Sequence, residues 1–260
     1  MNNMNSIKLY KLAALAAIVA LPYAASAAIS IGTSAQSYDS DGSGAINTLS
    51  DFEVVAGNDR KLVLAINAET NASLTGITFG SQSFIKAVDT EATRLSQIWY
   101  LDDATVGIFD IVATWSANAR SRMGVVSLTG AAAGGPSAFD TTANFIDADT
   151  TQASIDFTTT EANTFVIAAY TQNNGNGFVT RPASMDFLHK GNTGSSASTG
   201  SYQIQSMAGS TTYTWTADDA FVIDPSNGVA IASFSAVPEP STFALLAGLV
   251  VLSCVALRRR

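Results

Sequence analysis

The stretch "GIFDIVATW", Gly107 to Trp115, sets the reading of the fold. Phe109, Ile111, Ala113 and Trp115 fall on one side of an extended chain, with Asp110 and Thr114 on the other. A period of two, carried by β-branched and aromatic residues, is the signature of a half-buried strand. The same alternation recurs in "ASIDFTTT", where Ile155 and Phe157 oppose Ser154, Asp156 and Thr158. In "TTYTWT", Tyr213 and Trp215 point one way and threonines the other. Apolar or alternating runs at 60–67, 74–80, 95–101, 122–129, 164–171, 201–207 and 228–234 read as further strands, and "INTLSDFEVV" from Ile46 does too. Between them lie Gly- and Asn-rich joints such as "TGAAAGGPS" and "QNNGNG", which read as loops. No body segment carries a capped apolar stripe at helical spacing. The expectation is an all-β, antiparallel sandwich of about ten or more strands, in one domain spanning 28–236.

Both ends of the chain differ in composition from this body. Lys8 and Lys11 precede an apolar run from Leu12 to Pro22 and the small-residue site Ala25-Ser26-Ala27. That order reads as a secretory signal peptide, residues 1–27, cut after Ala27 and handled by the Sec machinery. At the other end, residues 241–257 are uncharged and are followed by Arg258, Arg259 and Arg260. As a helix this span would be roughly 25 Å long, enough for one short transmembrane helix. The arginines would hold its end on the cytoplasmic side.

Removing Lys8, Lys11 and the terminal arginines leaves the body eight cations against twenty carboxylates, a net charge of −12. Nucleic acid is therefore excluded as a partner, because its affinity is carried by clustered Lys and Arg. The single cysteine, Cys254, lies in the C-terminal span. The body has no disulfide, no Cys-ligated zinc and no thiol nucleophile, and must be held by a hydrophobic core.

Four constellations in the body invite chemistry. "DSDGSGAINTLSD", Asp39 to Asp51, places Asp39, Asp41 and Ser43 at positions 1, 3 and 5 of a calcium-loop pattern. Position 12 is Ser50 instead of a bidentate carboxylate, so the stretch reads first as a surface turn, with those three residues the ligands of a weak calcium site. His189, the single histidine, would have to serve any Ser-His-Asp triad, and no G-x-S-x-G elbow nominates a nucleophile. Asp102–Asp103 and Asp218–Asp219 are sequence neighbours, which point to opposite faces of a strand and make no acid–base couple. Trp99, Tyr100, Tyr170, Tyr213 and Trp215 suit either core packing or a sugar-stacking platform, and their alternation favours the core. No catalytic residues and no cofactor are expected; a secreted hydrolase is the minor alternative.

Two resemblances extend this reading. "AGNDRKLVLAINAE", "LTGITFGSQSFIKAV", "SQIWYLDDATVGIFDIVATWS" and "MGVVSLTGA" occur in that order from Ala56 to Ala131. The pattern resembles a module of secreted bacterial proteins, implies a jelly-roll sandwich, and extends loosely through "TTEANTFVIAAYT" to Phe234. The tail, with Pro238, Glu239 and Pro240 ahead of the apolar span and Arg258 to Arg260, resembles the PEP-CTERM sorting signal of Gram-negative bacteria over 237–260. That resemblance implies processing by exosortase at Pro-Glu-Pro, after transient anchoring in the inner membrane. It also implies a cell-surface or matrix destination associated with exopolysaccharide and biofilm. A structural role is the reading that follows, with a carbohydrate-binding module as the alternative.

Overall fold

The strands are paired over residues 28–238, which a computed structural model describes except at 40–41, 43, 70–71, 91–93, 144–151, 173–178, 193–195 and 218–227. Ala28–Val237 forms one compact unit. The signal-peptide residues 1–27 and the tail from Glu239 onward lie outside the described residues.

In chain order the first nine strands are β1 (Ser30–Asp39), β2 (Ile46–Val54), β3 (Lys61–Glu69), β4 (Leu74–Phe79), β5 (Gln82–Ser83), β6 (Ile85–Asp89), β7 (Arg94–Asp102), β8 (Gly107–Trp115) and β9 (Arg120–Thr129). Then come β10 (Ala138–Ala143), β11 (Gln152–Thr159), β12 (Thr164–Gln172), β13 (Val179–Thr180), β14 (Asp186–Asn192), β15 (Ala197–Gln205), β16 (Gly209–Ala217) and β17 (Gly228–Phe234). Among the described residues all pair antiparallel, in four sheets ordered β1-β9-β3-β7-β6, β2-β8-β4-β5, β10-β17-β12-β15-β14 and β11-β16-β13. Among the described residues no helix is long and apolar enough to cross a membrane, and the expected span 241–257 is not among them.

The all-β expectation holds, and the sandwich is deeper than expected. One core packs β2-β8-β4-β5 on the first five-stranded sheet through Phe52, Ile77, Phe79, Ile111, Ala113 and Trp115 against Leu62, Leu64, Ile66, Trp99 and Val125. A second joins the two five-stranded sheets through Val63, Ala65, Ile98 and Val126 against Phe165, Ile167, Ala169 and Ala232. A third lays β11-β16-β13 on the remaining face, with Ile155, Phe157, Tyr213 and Trp215 against Val166, Ala168, Tyr170 and Ile231. The body is thus four layers, with the two five-stranded sheets in the middle. This explains why "FVIAAYT" and "GVAIASF" do not alternate: β12 and β17 are buried along their whole length on both faces. β11 covers only one face and alternates strictly between exposed and buried.

The strand orders reveal an internal duplication. Substituting β10, β17, β12, β15 and β14 for β1, β9, β3, β7 and β6 turns one middle sheet into the other, and β11-β16-β13 likewise matches β2-β8-β4. Counting β5 and β6 as one strand split between sheets, the first half winds as a jelly roll, 1-8-3-6 against 2-7-4-5. Local details repeat as well. β6 breaks register between Lys86 and Val88, and β14 between Phe187 and His189. Asp59 before β3 and Asn163 before β12 sit at φ 50° and 54°, and β8 and β16 open on Gly107 and Gly209 at φ 138° and 140°. Tyr100 pairs with Val63 and Tyr202 with Ile167. The expected jelly-roll sandwich is present, and its winding occurs twice along the body, the two copies joined through their inner sheets.

Candidate functional site

Where the two inner sheets meet, the duplication buries a polar seam. Asn67 near the end of β3 donates through Nδ2 to Ser96 Oγ at 2.9 Å and to Thr171 Oγ1 at 2.7 Å. Its Oδ1 lies 2.6 Å from His189 Nε2. A carboxamide oxygen only accepts, so Nε2 carries the imidazole proton and Nδ1 is bare. That Nδ1 is buried without a hydrogen-bond partner. Burial, reinforced by the Arg122 charge, pulls the His189 pKa down to about 3, so the ring is neutral. Arg122 is itself 1% exposed, with Nη1 on Ser198 Oγ at 3.0 Å and its guanidinium 4.7 Å over the Tyr38 ring. Two glycines make room for these side chains. A Cβ on Gly191 would stand 1.8 Å from Arg122 Nε, and one on Gly200 2.3 Å from His189 Cε1.

His189 is thus a core residue with an amide partner, and among the described residues no serine and carboxylate are hydrogen-bonded to it as a triad requires. Asn67, Ser96, Thr171 and Arg122 do not stand out as a constellation in the sequence. The available signal was a polar residue inside each of several apolar strand runs.

A second polar pair sits at the far end of the same strands. Lys61 is buried in front of Asp102, with Nζ 2.5 Å from Asp102 Oδ1 and 2.6 Å from the Gly134 carbonyl. The nitrogen lies 4.8 Å from the Tyr100 ring centroid and 5.2 Å from that of Phe234. Burial lowers the Lys61 pKa below the ordinary lysine value, opposed by Asp102 and Asp103. Asp102 Oδ2 accepts the Gly134 N–H at 2.8 Å. Asp103 occupies a turn at φ 50°, as its place after a strand suggests. Asp218 and Asp219 lie outside the described residues.

The five aromatics weighed for sugar stacking are all buried: Tyr170, Tyr213 and Trp215 at 0%, Trp99 and Tyr100 at 8%. Tyr170 and Trp215 stack on each other at 5.6 Å, and Tyr213 receives the Gln203 amide at 2.6 Å. The platform expected as an alternative does not form from these residues, because all five sit on strand faces that another layer covers. Aromatic exposure falls instead on residues including Phe139 and Phe187. Phe187 borders a recess of about 200 Å³ together with Val179, Thr180, Arg181, Lys190 and Thr199. Arg181 is tethered by its Nε to the Met185 carbonyl at 2.6 Å, which leaves its terminal nitrogens for other partners.

Of the expected calcium ligands, Asp39 ends β1, while Asp41 and Ser43 lie outside the described residues. Among the described residues no group of three or more His, Cys, Asp or Glu is arranged to hold a metal ion. In the sorting motif Pro238 is described and exposed; Glu239, Pro240, Arg258, Arg259 and Arg260 lie outside the described residues, as do Ala25 and Ala27.

Comparison with known families places one segment. Residues 236–260 match the PEP-CTERM protein-sorting motif. The match coincides with the Pro-Glu-Pro, apolar span and arginine cluster and implies export and exosortase sorting. No curated protein matches the chain.

Proposed function

We propose that this protein is a structural component of the cell surface or extracellular matrix, delivered by exosortase and associated with exopolysaccharide in a biofilm. The sorting motif at residues 236–260 carries the reading. The body supports it: roughly 200 residues spent on three stacked apolar cores, with an acidic surface, suit a durable extracellular module better than a catalyst. The reading is of a non-catalytic protein. Its test is the C-terminus of the mature surface protein, read by mass spectrometry. The expected chain ends at or near Pro238–Pro240, without the arginines; an intact Arg260 on the surface-exposed protein overturns exosortase processing and leaves a plain membrane anchor.

A second reading, direct carbohydrate binding, is favoured by the recess beside Phe187. Within a body of net charge −12, Arg181 and Lys190 converge on a cavity bordered by an exposed aromatic ring. An acidic sugar unit fits that chemistry, with the ring against the pyranose face and the cations on its carboxylate. Retention on immobilised alginate should exceed retention on neutral dextran, and Phe187→Ala or Arg181→Ala should each weaken it about tenfold, an ordinary loss for one anchoring contact. Equal retention on both matrices, or no effect of the substitutions, removes this reading.

A further inference from the structure

We propose that Lys61 and Asp102 become joined by an intramolecular isopeptide bond, which cross-links β3 to β7. The two residues are direct partners in the antiparallel ladder. Nζ stands 2.5 Å from Asp102 Oδ1, yet that oxygen is buried and makes no directional hydrogen bond. The nitrogen therefore approaches off the line on which an ammonium would donate, in the crowded manner of an attacking amine. Around the pair the other groups are already in place. The Gly134 carbonyl holds Nζ, and the Gly134 N–H donates to Asp102 Oδ2. Tyr100 and Phe234 close over the nitrogen and keep water from it. Such a setting disfavours the ammonium form of Lys61 and favours the neutral amine that attack on a carbonyl carbon needs.

The step balances without any co-reactant. Within the ammonium–carboxylate pair one proton passes from Nζ to Oδ1, giving an amine and a carboxylic acid. Nζ attacks Cγ, and the charge that develops on Oδ2 is met by the Gly134 N–H, as in an oxyanion hole. The Cγ–Oδ1 bond then breaks, Oδ1 takes a second proton from Nζ, and one water leaves. Oδ2 remains as the amide oxygen. The body has no cysteine, so a covalent tie between middle strands would fill the role that disulfides fill in other exported proteins.

The test is a tryptic map of the full-length protein. Trypsin cuts after Lys61 only if its amine is free, so the bond predicts a species joining residues 61–86 to residues 95–120, lighter than their sum by one water. Lys61→Arg should abolish that species, since a guanidinium does not take this route. Asp102→Asn should restore a joined species of identical mass, because ammonia leaves in place of water. Separate peptides from the native protein, with cleavage after Lys61, overturn the proposal and leave a buried ion pair; that outcome is read on the unaltered chain and needs no variant to fold.

Discussion

Trp215→Ala should lower the stability of the body by about 3–5 kcal/mol, the usual cost of truncating a buried large aromatic. Trp215 is fully buried and stacks on Tyr170 across the outermost core. Among the described residues its layer has three strands, one of them the two-residue β13, and Trp215 is the largest fully buried side chain there. For a domain of this size each kcal/mol moves the melting temperature by roughly 2–4 °C, so the midpoint should fall by about 6–20 °C. Against a total stability of about 5–15 kcal/mol, this is a large share. Phe139→Ala is the control: that ring is 63% exposed and its loss should stay within about 0.5 kcal/mol. A thermal melt in which both variants shift equally would contradict the covered outer face described for β12 and β17.

The second large effect is a dependence on pH set by His189. In the folded body its pKa is about 3, and in the unfolded chain it returns to about 6.5. Between these values the unfolded chain holds one proton more than the folded one, so stability rises with pH. Above about pH 6.5 the contribution is fully present, and it drains away as pH falls toward 3. The slope is about 1.4 kcal/mol per pH unit, which amounts to several kcal/mol across the window. The cause is burial first, then the Arg122 guanidinium, which repels a second cation. Urea midpoints between pH 6.5 and 4.5 should show this slope in the native protein and lose it in His189→Gln, which keeps a donor for Asn67. An unchanged slope in that variant would place the titration elsewhere.

How much of this could be read along the chain follows from what burial does to pattern. β8, β11 and β16 each have one covered face, and "GIFDIVATW", "ASIDFTTT" and "TTYTWT" alternate accordingly. Phe109 is the exception: it lies on the expected side but is 39% exposed, capping Phe79 edge-on at 5.2 Å. β12 and β17 are continuous apolar runs, legible as strands but silent about what covers their second face. β1 is not legible as a strand because "SIGTSAQSYD" sits at a sheet edge and is polar, and β10 and β14 are illegible for the same reason. The alternation along the chain therefore gives neither the strand number of the two inner sheets nor the duplication. The halves share strand order and register breaks but few identical residues, since jelly-roll winding constrains which strands pair far more than which apolar side chain fills each place.

The candidate sites divide along the same line. Pro238-Glu239-Pro240, the apolar span and Arg258 to Arg260 form a linear signal that is legible along the chain, as are the all-β class, the acidic charge balance and the cysteine-free body. Folding in three dimensions is what brings Asn67 to Thr171 and His189, sets Lys61 against Asp102 forty-one residues on, and turns Trp99, Tyr100, Tyr170, Tyr213 and Trp215 inward. Local alternation records whether one face of a strand is dry. Which strand supplies the dryness, and which polar group is trapped beside which, depends on pairings between residues more than a hundred positions apart, and no local pattern carries that information.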